Sequence, residues 1–217
     1  MIAVAPLHVS ALLFDMDGTL VDSKSAIESG WRQWCLEHGV DFEELMAASH
    51  GRRSDDIIRQ FLKEGDVASV AAAFTEMELS AAQGIKPVPG AQRLLSLLPA
   101  GKWTIVTSAA RRLAARRLQA AGLPMPETIV TAEDVANGKP APDGYLLAAS
   151  RLGYAPHDCL VLEDAALGHE AARRAGIASI NVGSKFNEIR PALTSVTDLS
   201  ALGVTTDERG KIIVSLI

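Results

Sequence analysis

Leu13-Phe-Asp-Met-Asp-Gly-Thr-Leu-Val-Asp22 is the stretch of this 217-residue sequence that says most about the fold. Its start belongs to the apolar run Val9–Phe14, which is typical of a strand buried on both faces. Asp15 and Asp17 come directly after that run, and Gly18 allows the chain to turn behind them. Because open α/β sheets bind ligands at the carboxyl ends of their strands, we expect both carboxylates to face one small site.

Strand-like and helix-like segments alternate over most of the chain. Further short apolar runs bounded by Gly, Pro, Asp or Ser are Trp103–Thr107, Thr128–Val130, Cys159–Leu162 and Ile177–Val182. Segments of helical composition between them are Ala91–Leu98, Arg111–Ala121, Gly144–Leu152 and Gly168–Ala175. This alternation predicts right-handed βαβ units and therefore an α/β fold with an open, parallel, Rossmann-like sheet.

Residues 23–86 interrupt the alternation with a region of helical pattern alone. Four helices are predicted there: Ser25–Glu37, Phe42–Ser49, Asp55–Glu64 and Val67–Ala82. We interpret 23–86 as a helical cap inserted into a catalytic core made of residues 1–22 and 87–217. The prolines of Lys86-Pro-Val-Pro-Gly90 end the helical region. Near the C-terminus, Val204–Thr206 and Lys211–Leu216 flank a turn sequence and predict a hairpin.

Composition limits the classes of partner. A net charge of −5 and a pI near 5.5 argue against binding nucleic acid by bulk charge. No apolar run approaches the roughly 20 residues that span a bilayer, and Met1–Ser10 does not resemble a secretory signal. Cys35 and Cys159 are expected to be buried free thiols. We therefore expect a cytoplasmic protein with no nucleic-acid or membrane partner; the sequence predicts no oligomeric state.

Four short motifs, in a fixed order, resemble those of the haloacid dehalogenase-like superfamily of phosphotransferases. They are Phe14-Asp-Met-Asp-Gly-Thr-Leu-Val-Asp22, Ile105-Val-Thr-Ser108, Gly138-Lys-Pro-Ala-Pro-Asp143 and Leu160-Val-Leu-Glu-Asp-Ala165. An Asp-x-Asp-Gly sequence alone is more typical of a turn or of part of a calcium loop, but four motifs in this order are specific. The helical insertion after the first motif resembles the family's helical-cap subclass.

The resemblance implies a role for each acidic residue of the motifs. Asp15 is the expected nucleophile, because a carboxylate is ionised at neutral pH and can attack phosphorus to form an aspartyl-phosphate. Asp17 is expected to protonate the leaving oxygen and later to deprotonate water. Asp15, the main-chain carbonyl of Asp17, and Asp164 are the expected ligands of Mg²⁺, which prefers hard oxygen donors. Glu163 is expected to hold a water molecule bound to that ion.

Other motif residues are expected to bind or support the phosphate. Lys139 lies between Gly138 and a proline, and we interpret it as the fixed cation of the site rather than a solvated surface lysine. Thr107 and Ser108 follow a strand, so their hydroxyl and N–H groups can bind an anion; capping of the next helix is the alternative. The sequence does not distinguish which of the two is the motif-two residue. Thr19 offers a supporting hydroxyl in the first turn.

The cap supplies weaker candidates for substrate binding. His50-Gly-Arg-Arg-Ser54 lies at a helix junction that the resemblance places near the substrate-specificity loop, and we name His50 and Arg53 as candidates. A structural histidine at a helix boundary is the alternative for His50. In the core, a basic stripe lies on one predicted helix and is expected to be a solvated face: Arg111, Arg112, Arg116 and Arg117.

The leading functional prediction is a Mg²⁺-dependent phosphatase acting on small phosphorylated sugars or polyols. His50–Ser54 and residues 130–143 carry a closer similarity to the small sugar-phosphate and glycerol-phosphate phosphatases. A hexose-phosphate mutase of the β-phosphoglucomutase kind is the alternative, but such sequences place a histidine twelve residues after the nucleophile, where this chain has Ile27. A dehalogenase would lack Asp17. A module that only binds a metabolite would not need the nucleophile Asp15.

Overall fold

The computed structural model describes residues 5–183 and 192–217. The strands of this part are β1 (Leu7–Val9), β2 (Ala11–Phe14), β3 (Val21–Asp22), β4 (Lys86–Pro87), β5 (Trp103–Val106), β6 (Ile129–Val130), β7 (Cys159–Glu163), β8 (Ala178–Val182), β9 (Thr194–Val196), β10 (Leu202–Thr206) and β11 (Ile212–Leu216). Its α-helices are α1 (Lys24–His38), α2 (Phe42–Ser49), α3 (Ser54–Phe61), α4 (Val67–Ser80), α5 (Ala91–Ser96), α6 (Arg111–Ala120), α7 (Asp143–Leu152) and α8 (Ala166–Arg174). Short 3₁₀ helices cover Ala132–Asp134, Pro156–Asp158 and Leu199–Ala201.

A six-stranded sheet in the order β6-β5-β2-β7-β8-β9 forms the centre of the fold. Every neighbouring pair in it is parallel. The chain places β5 and β6 on one side of β2 and then returns to add β7, β8 and β9 on the other. The strand order therefore reverses around β2, and this is where open α/β sheets bind their ligands. The predicted α/β fold with a parallel sheet is confirmed.

Alternate residues of β2 show why the strand is buried. Leu12 and Phe14 belong to the apolar cluster on one face of the sheet, while Ala11 and Leu13 belong to the cluster on the other face. Successive side chains of a strand point to opposite faces, so a strand covered on both sides is apolar at every position. All four residues are buried, and the strand holds its carboxyl end firmly in the middle of the sheet.

Helices α1–α4 lie between β3 and β4, which pair antiparallel. The chain segments that lead into and out of the four helices are thus adjacent. The four helices have their own apolar cluster, in which Trp31 stacks on Phe74 with ring centroids 4.0 Å apart. Side chains of Asp41 and Asp66 accept hydrogen bonds from the first turns of α2 and α4, which fixes where these helices begin.

The predicted strand Val9–Phe14 is wrong in one respect, because the structure divides it at Ser10. The main-chain N–H of Ser10 donates to the carbonyl of Asp158 at 2.6 Å, and the residues before it leave the central sheet. They form β1, which pairs with β11. The predicted C-terminal hairpin is confirmed as β10 and β11, so β1 completes a three-stranded antiparallel sheet.

Two smaller expectations concern the cysteines and membranes. Cys35 and Cys159 are both buried and unpaired, which confirms the predicted free thiols. Burial raises the pKa of the Cys159 thiol to about 11, so it stays protonated. Among the helices of residues 5–183 and 192–217, none combines the length and apolarity that a membrane crossing requires.

Candidate active site

Three carboxylates meet where β2 and β7 end. Asp15 follows β2, Glu163 is the last residue of β7, and Asp164 follows it. One oxygen atom of each lies within 4.8 Å of one from each of the others. The parallel pairing of β2 with β7, which places Phe14 opposite Leu162, brings the two ends together. The acidic cluster is thus a direct consequence of the sheet register.

Lys139 is buried among these acids. Its Nζ lies 2.5 Å from Oδ1 of Asp15 and 2.7 Å from Oε2 of Glu163, and only 7% of the side chain is exposed. Burial alone would lower the pKa of Lys139, but the carboxylates of Asp15 and Glu163 raise it well above its ordinary value. The lysine is therefore a fixed cation of the site, and the alternative of a solvated surface residue is wrong.

Glu163 is held by four donors. Its Oε2 accepts from Lys139 and, at 2.6 Å, from the hydroxyl of Tyr145, while Oε1 accepts from the main-chain N–H groups of Asp164 and Ala165. Burial opposes ionisation of Glu163, but Lys139 outweighs it and lowers the pKa. Glu163 thus orients Lys139 in this structure, and Tyr145 is a site residue that the sequence analysis missed.

Asp164 packs directly on the turn after β2. Gly18 has φ +89°, and a Cβ added there would lie 2.0 Å from Oδ2 of Asp164. Only glycine allows this approach. Nε2 of His50, the residue after α2, lies 3.0 Å from the same Oδ2. The histidine side chain is half exposed, so it contacts the acidic cluster from the solvent side rather than from a buried position.

The donor set fits a small divalent cation. Burial raises the pKa of Asp15 well above its ordinary value, with the carboxylate of Glu163 adding to the effect, and burial likewise raises the pKa of Asp164. Lys139 supplies one positive charge against three acids. A dication coordinated by oxygen atoms of Asp15 and Asp164 would relieve this imbalance, and Mg²⁺ prefers such hard oxygen donors. The residues present therefore suit the ion that the motifs predict.

Asp17 is held from two sides. Its Oδ1 accepts from the Ser23 hydroxyl at 2.6 Å, and its Oδ2 lies 2.9 Å from Nη1 of Arg117. Arg117 also donates through Nη2 to Oε1 of Glu78 at 2.7 Å. Burial raises the pKa of Glu78 even though Arg117 opposes the shift.

The predicted solvated basic stripe is therefore wrong at Arg117, which is buried. Arg111 and Arg112 are exposed, as expected. The difference follows from helical spacing, because residue 117 lies four positions after Leu113 and three after Ala114, both buried. This apolar face was readable in the sequence and would have identified the one arginine that points inward.

Thr107 and Ser108 follow β5 and line the cavity beside Asp15. Oγ1 of Thr107 accepts from the N–H of Ala109, and the Ser108 hydroxyl donates to the carbonyl of Gly51, between α2 and α3, at 2.9 Å. The alternative that they cap the next helix is wrong. Helix α6 begins only at Arg111, and neither hydroxyl caps its first turn.

Two other predicted residues have unexpected surroundings. Thr19 is fully buried, and its hydroxyl has no hydrogen-bond partner among the described residues. Arg53 donates to the main-chain carbonyls of Val135 (2.9 Å) and Ala136 (3.1 Å) and does not line the cavity beside Asp15. Binding of substrate by Arg53 stays a prediction. Its guanidinium connects the segment between α2 and α3 to the loop that leads to Lys139.

A family model of the haloacid dehalogenase-like hydrolases matches residues 9–176. The chain belongs to this family. It is 41% identical to hexitol phosphatase A of Escherichia coli, over 96% of this chain and all of that protein. It is 33% identical to glycerol-1-phosphate phosphohydrolase 2 of Saccharomyces cerevisiae, over 83% of this chain and 77% of that one. A solved structure of a hydrolase from Pseudomonas syringae is 28% identical and has a TM-score of 0.75, with 88% and 94% of the two chains covered. The predicted family and the predicted class of phosphoric monoester hydrolase are confirmed.

This haloacid dehalogenase-like hydrolase has a cavity of about 690 Å³ where the sheet edge faces the α1–α4 helices. Asp15, Asp17 and Asp164 line its floor. Ile27 of α1 lies in its wall, so the position where mutase-like sequences have a histidine faces the cavity with a side chain that cannot transfer a proton.

Proposed function

We propose that this chain is a Mg²⁺-dependent phosphatase that hydrolyses phosphate monoesters of small sugars or polyols through an aspartyl-phosphate on Asp15. The observation that carries the proposal is the position of Lys139, whose ammonium group bridges Asp15 and Glu163 beside the carboxylate of Asp164. A carboxylate paired with a fixed cation, at the floor of a cavity, suits attack on a phosphoryl group.

Two steps follow from these residues. In the first, a carboxylate oxygen of Asp15 attacks phosphorus, the bond from phosphorus to the substrate oxygen breaks, and Asp17 donates a proton to that oxygen. In the second, Asp17 takes a proton from water as the water oxygen attacks phosphorus; the bond from phosphorus to the Asp15 oxygen breaks, which releases inorganic phosphate and restores the Asp15 carboxylate. Lys139 balances negative charge on Asp15 and on the phosphoryl oxygens throughout.

We propose Asp15, the main-chain carbonyl of Asp17, and Asp164 as the protein ligands of Mg²⁺. The bound ion would supply positive charge that polarises the phosphoryl oxygens. The Thr107 hydroxyl and the main-chain N–H of Ser108 would donate hydrogen bonds to those oxygens, since both residues line the cavity next to Asp15 and the Ser108 hydroxyl already donates to Gly51.

Residues 23–86 are proposed as a cap domain that encloses the alcohol part of the substrate. The wall of the cavity includes Glu28 and Ser54 from the helices and Asn181 from the sheet, and such groups exchange hydrogen bonds with hydroxyls. Arg52 lines the same wall, with Nη1 donating to the side chain of Gln60 at 2.7 Å. The names of the related hexitol and glycerol-1-phosphate enzymes support a polyol or sugar in this space.

A substrate panel tests the proposal. Inorganic phosphate release would be measured with Mg²⁺ for monophosphates of hexitols, hexoses and glycerol, with Asp15→Asn as the inactive control. Turnover of at least one such ester by the wild type, and none by the variant, is expected. Absence of turnover on the whole panel, or equal turnover by both proteins, would overturn the proposal.

The mutase alternative has an outcome of its own. A mutase must return its phosphoryl group to bound sugar before water takes it, and Ile27 leaves this chain without the cap histidine of mutase-like sequences. Stoichiometric phosphate release from a hexose monophosphate, without interconversion of the 1- and 6-phosphates, is expected. Interconversion faster than phosphate release, with a hexose bisphosphate present, would favour the mutase.

A cytoplasmic location is also proposed, on the two buried free thiols. Cys35 and Cys159 are both unpaired, and reduced cysteines are typical of a reducing compartment. Cell fractionation with an antibody to the protein tests this directly; recovery from an oxidising extracytoplasmic fraction would contradict it.

A further inference from the structure

We propose that Arg117 is a positioning residue, which fixes the acid–base carboxylate of Asp17 and connects it to the cap through Glu78. The inference rests on the proposed phosphatase function and adds a group to it that the four motifs do not contain.

The three side chains come from three separate parts of the fold. Asp17 lies in the turn after β2, Arg117 in helix α6 of the core, and Glu78 in helix α4 of the cap. Nη1 of Arg117 is 2.9 Å from Asp17 and Nη2 is 2.7 Å from Glu78. The planar guanidinium therefore spans the two carboxylates with separate nitrogen atoms, a geometry that a lysine does not reproduce.

The burial of the ion pairs that join Asp17, Arg117 and Glu78 indicates that they do more than stabilise the fold. The side chains of Arg117 and Glu78 are 4% and 6% exposed, and that of Asp17 is 20% exposed. Buried ion pairs contribute little net stability, because removing the charges from water offsets their attraction. An apolar side chain would fill the space between α4 and α6 at lower cost. All three residues instead line the cavity beside Asp15.

The arrangement restricts where the Asp17 carboxylate can point. Its Oδ1 is held by the Ser23 hydroxyl and its Oδ2 by Arg117. Arg117 is in turn held by Glu78, so the carboxylate is fully oriented only when α4 is packed against α6. General acid catalysis depends on this orientation, since the donor must be within hydrogen-bond reach of the leaving oxygen.

Leaving-group dependence separates positioning from a purely structural role. The alkoxide of a sugar or polyol is a poor leaving group and needs a proton, whereas p-nitrophenolate leaves without one. In Arg117→Gln we expect kcat/KM to fall about 100-fold for the alkyl phosphate that the wild type hydrolyses fastest, and less than about threefold for p-nitrophenyl phosphate. Arg117→Lys, which keeps the charge, should recover part of the loss.

A second cap–core ion pair on the same two helices provides the control. Arg112 and Glu76 lie 2.6 Å apart, but both are exposed and neither contacts Asp17. Arg112→Gln should change kcat/KM for both substrates by less than about twofold, because exposed pairs contribute little. Thermal unfolding of each variant would show whether it is folded at the assay temperature.

The Glu78→Gln variant covers the case in which Arg117→Gln does not fold. It should show the same selective loss of kcat/KM for the alkyl phosphate. The double variant Arg117→Lys/Glu78→Gln should lose a smaller factor in kcat/KM than the product of the factors lost by the two single variants. Equal losses on both substrates, or no loss in folded variants, would overturn the inference. Absence of any turnover by the wild type would instead contradict the proposed function.

Discussion

Gly18→Ala separates the geometry of the proposed metal site from the stability of the fold. The new Cβ would lie 2.0 Å from Oδ2 of Asp164, and approaches below 3.0 Å essentially never occur, so the carboxylate must move by about 1 Å. A displacement of this size at an active site costs on the order of 100-fold in rate. This corresponds to about 2.7 kcal/mol of lost transition-state stabilisation.

Backbone strain accompanies the clash, and Gly84→Ala measures it alone. Gly84 has φ +87°, close to the +89° of Gly18, but no atom lies within 4 Å of a Cβ added there. An L-residue in this region costs about 1–2 kcal/mol, so Gly84→Ala should lose about that much free energy of unfolding in urea, and Gly18→Ala at least as much. Gly84→Ala should keep its activity.

The assay is kcat/KM over a titration of Mg²⁺, for both variants and the wild type. Gly18→Ala should need more Mg²⁺ for half-maximal activity and should have a lower kcat/KM even at saturation. Wild-type kcat/KM and Mg²⁺ dependence in Gly18→Ala would refute the placement of Asp164 as a metal ligand, and so would an equal loss of activity in Gly84→Ala.

Three further predictions concern removal of the metal, the hydrogen bond from Tyr145 to Glu163, and the pH dependence of stability at Asp134. Chelation with EDTA should abolish activity and Mg²⁺ restore it, while Ca²⁺ should inhibit because of its longer bonds and higher coordination number; full activity in excess chelator would contradict this. Tyr145→Phe removes the 2.6 Å hydrogen bond to Glu163, so it should lower the free energy of unfolding by about 1.5–3 kcal/mol and should also lower kcat. Unchanged values of both quantities would exclude a supporting role for Tyr145. Although burial opposes it, donors including Arg151 hold the pKa of Asp134 well below its usual value, so Asp134→Asn should cost about 2 kcal/mol at pH 7. That loss of unfolding free energy should shrink as the pH falls below about 4, because Asp134 of the unfolded chain then binds a proton. A loss that is the same at every pH would contradict the prediction.

The central site could be predicted because it depends on the ends of strands. Asp15 and Asp164 each follow an apolar run that is a recognisable buried strand, and parallel strands bring their carboxyl ends to one edge. The prediction of Lys139 as a site residue depended on the family resemblance, because nothing in its local sequence indicates that the loop carrying it reaches this edge of the sheet.

Other parts of the site depend on contacts between distant elements. Glu78 and Arg117 meet only because α4 packs on α6, and no local pattern in α4 indicates this partner. The inward position of Arg117 was accessible from its spacing to Leu113 and Ala114, but the number of neighbouring arginines favoured a solvated face. The break at Ser10 follows from pairing of β1 with the distant β11, which a continuous apolar run conceals.

Trapping the covalent intermediate tests the account most directly. The protein would be mixed with Mg²⁺ and an alkyl phosphate substrate, quenched in acid during turnover, reduced with borohydride and digested for mass spectrometry. Borohydride converts an aspartyl-phosphate to homoserine, and the account predicts this change at Asp15 and at no other aspartate, with none in Asp15→Asn. Turnover at full rate with Asp15 unmodified, or with the modification at another residue, would contradict it.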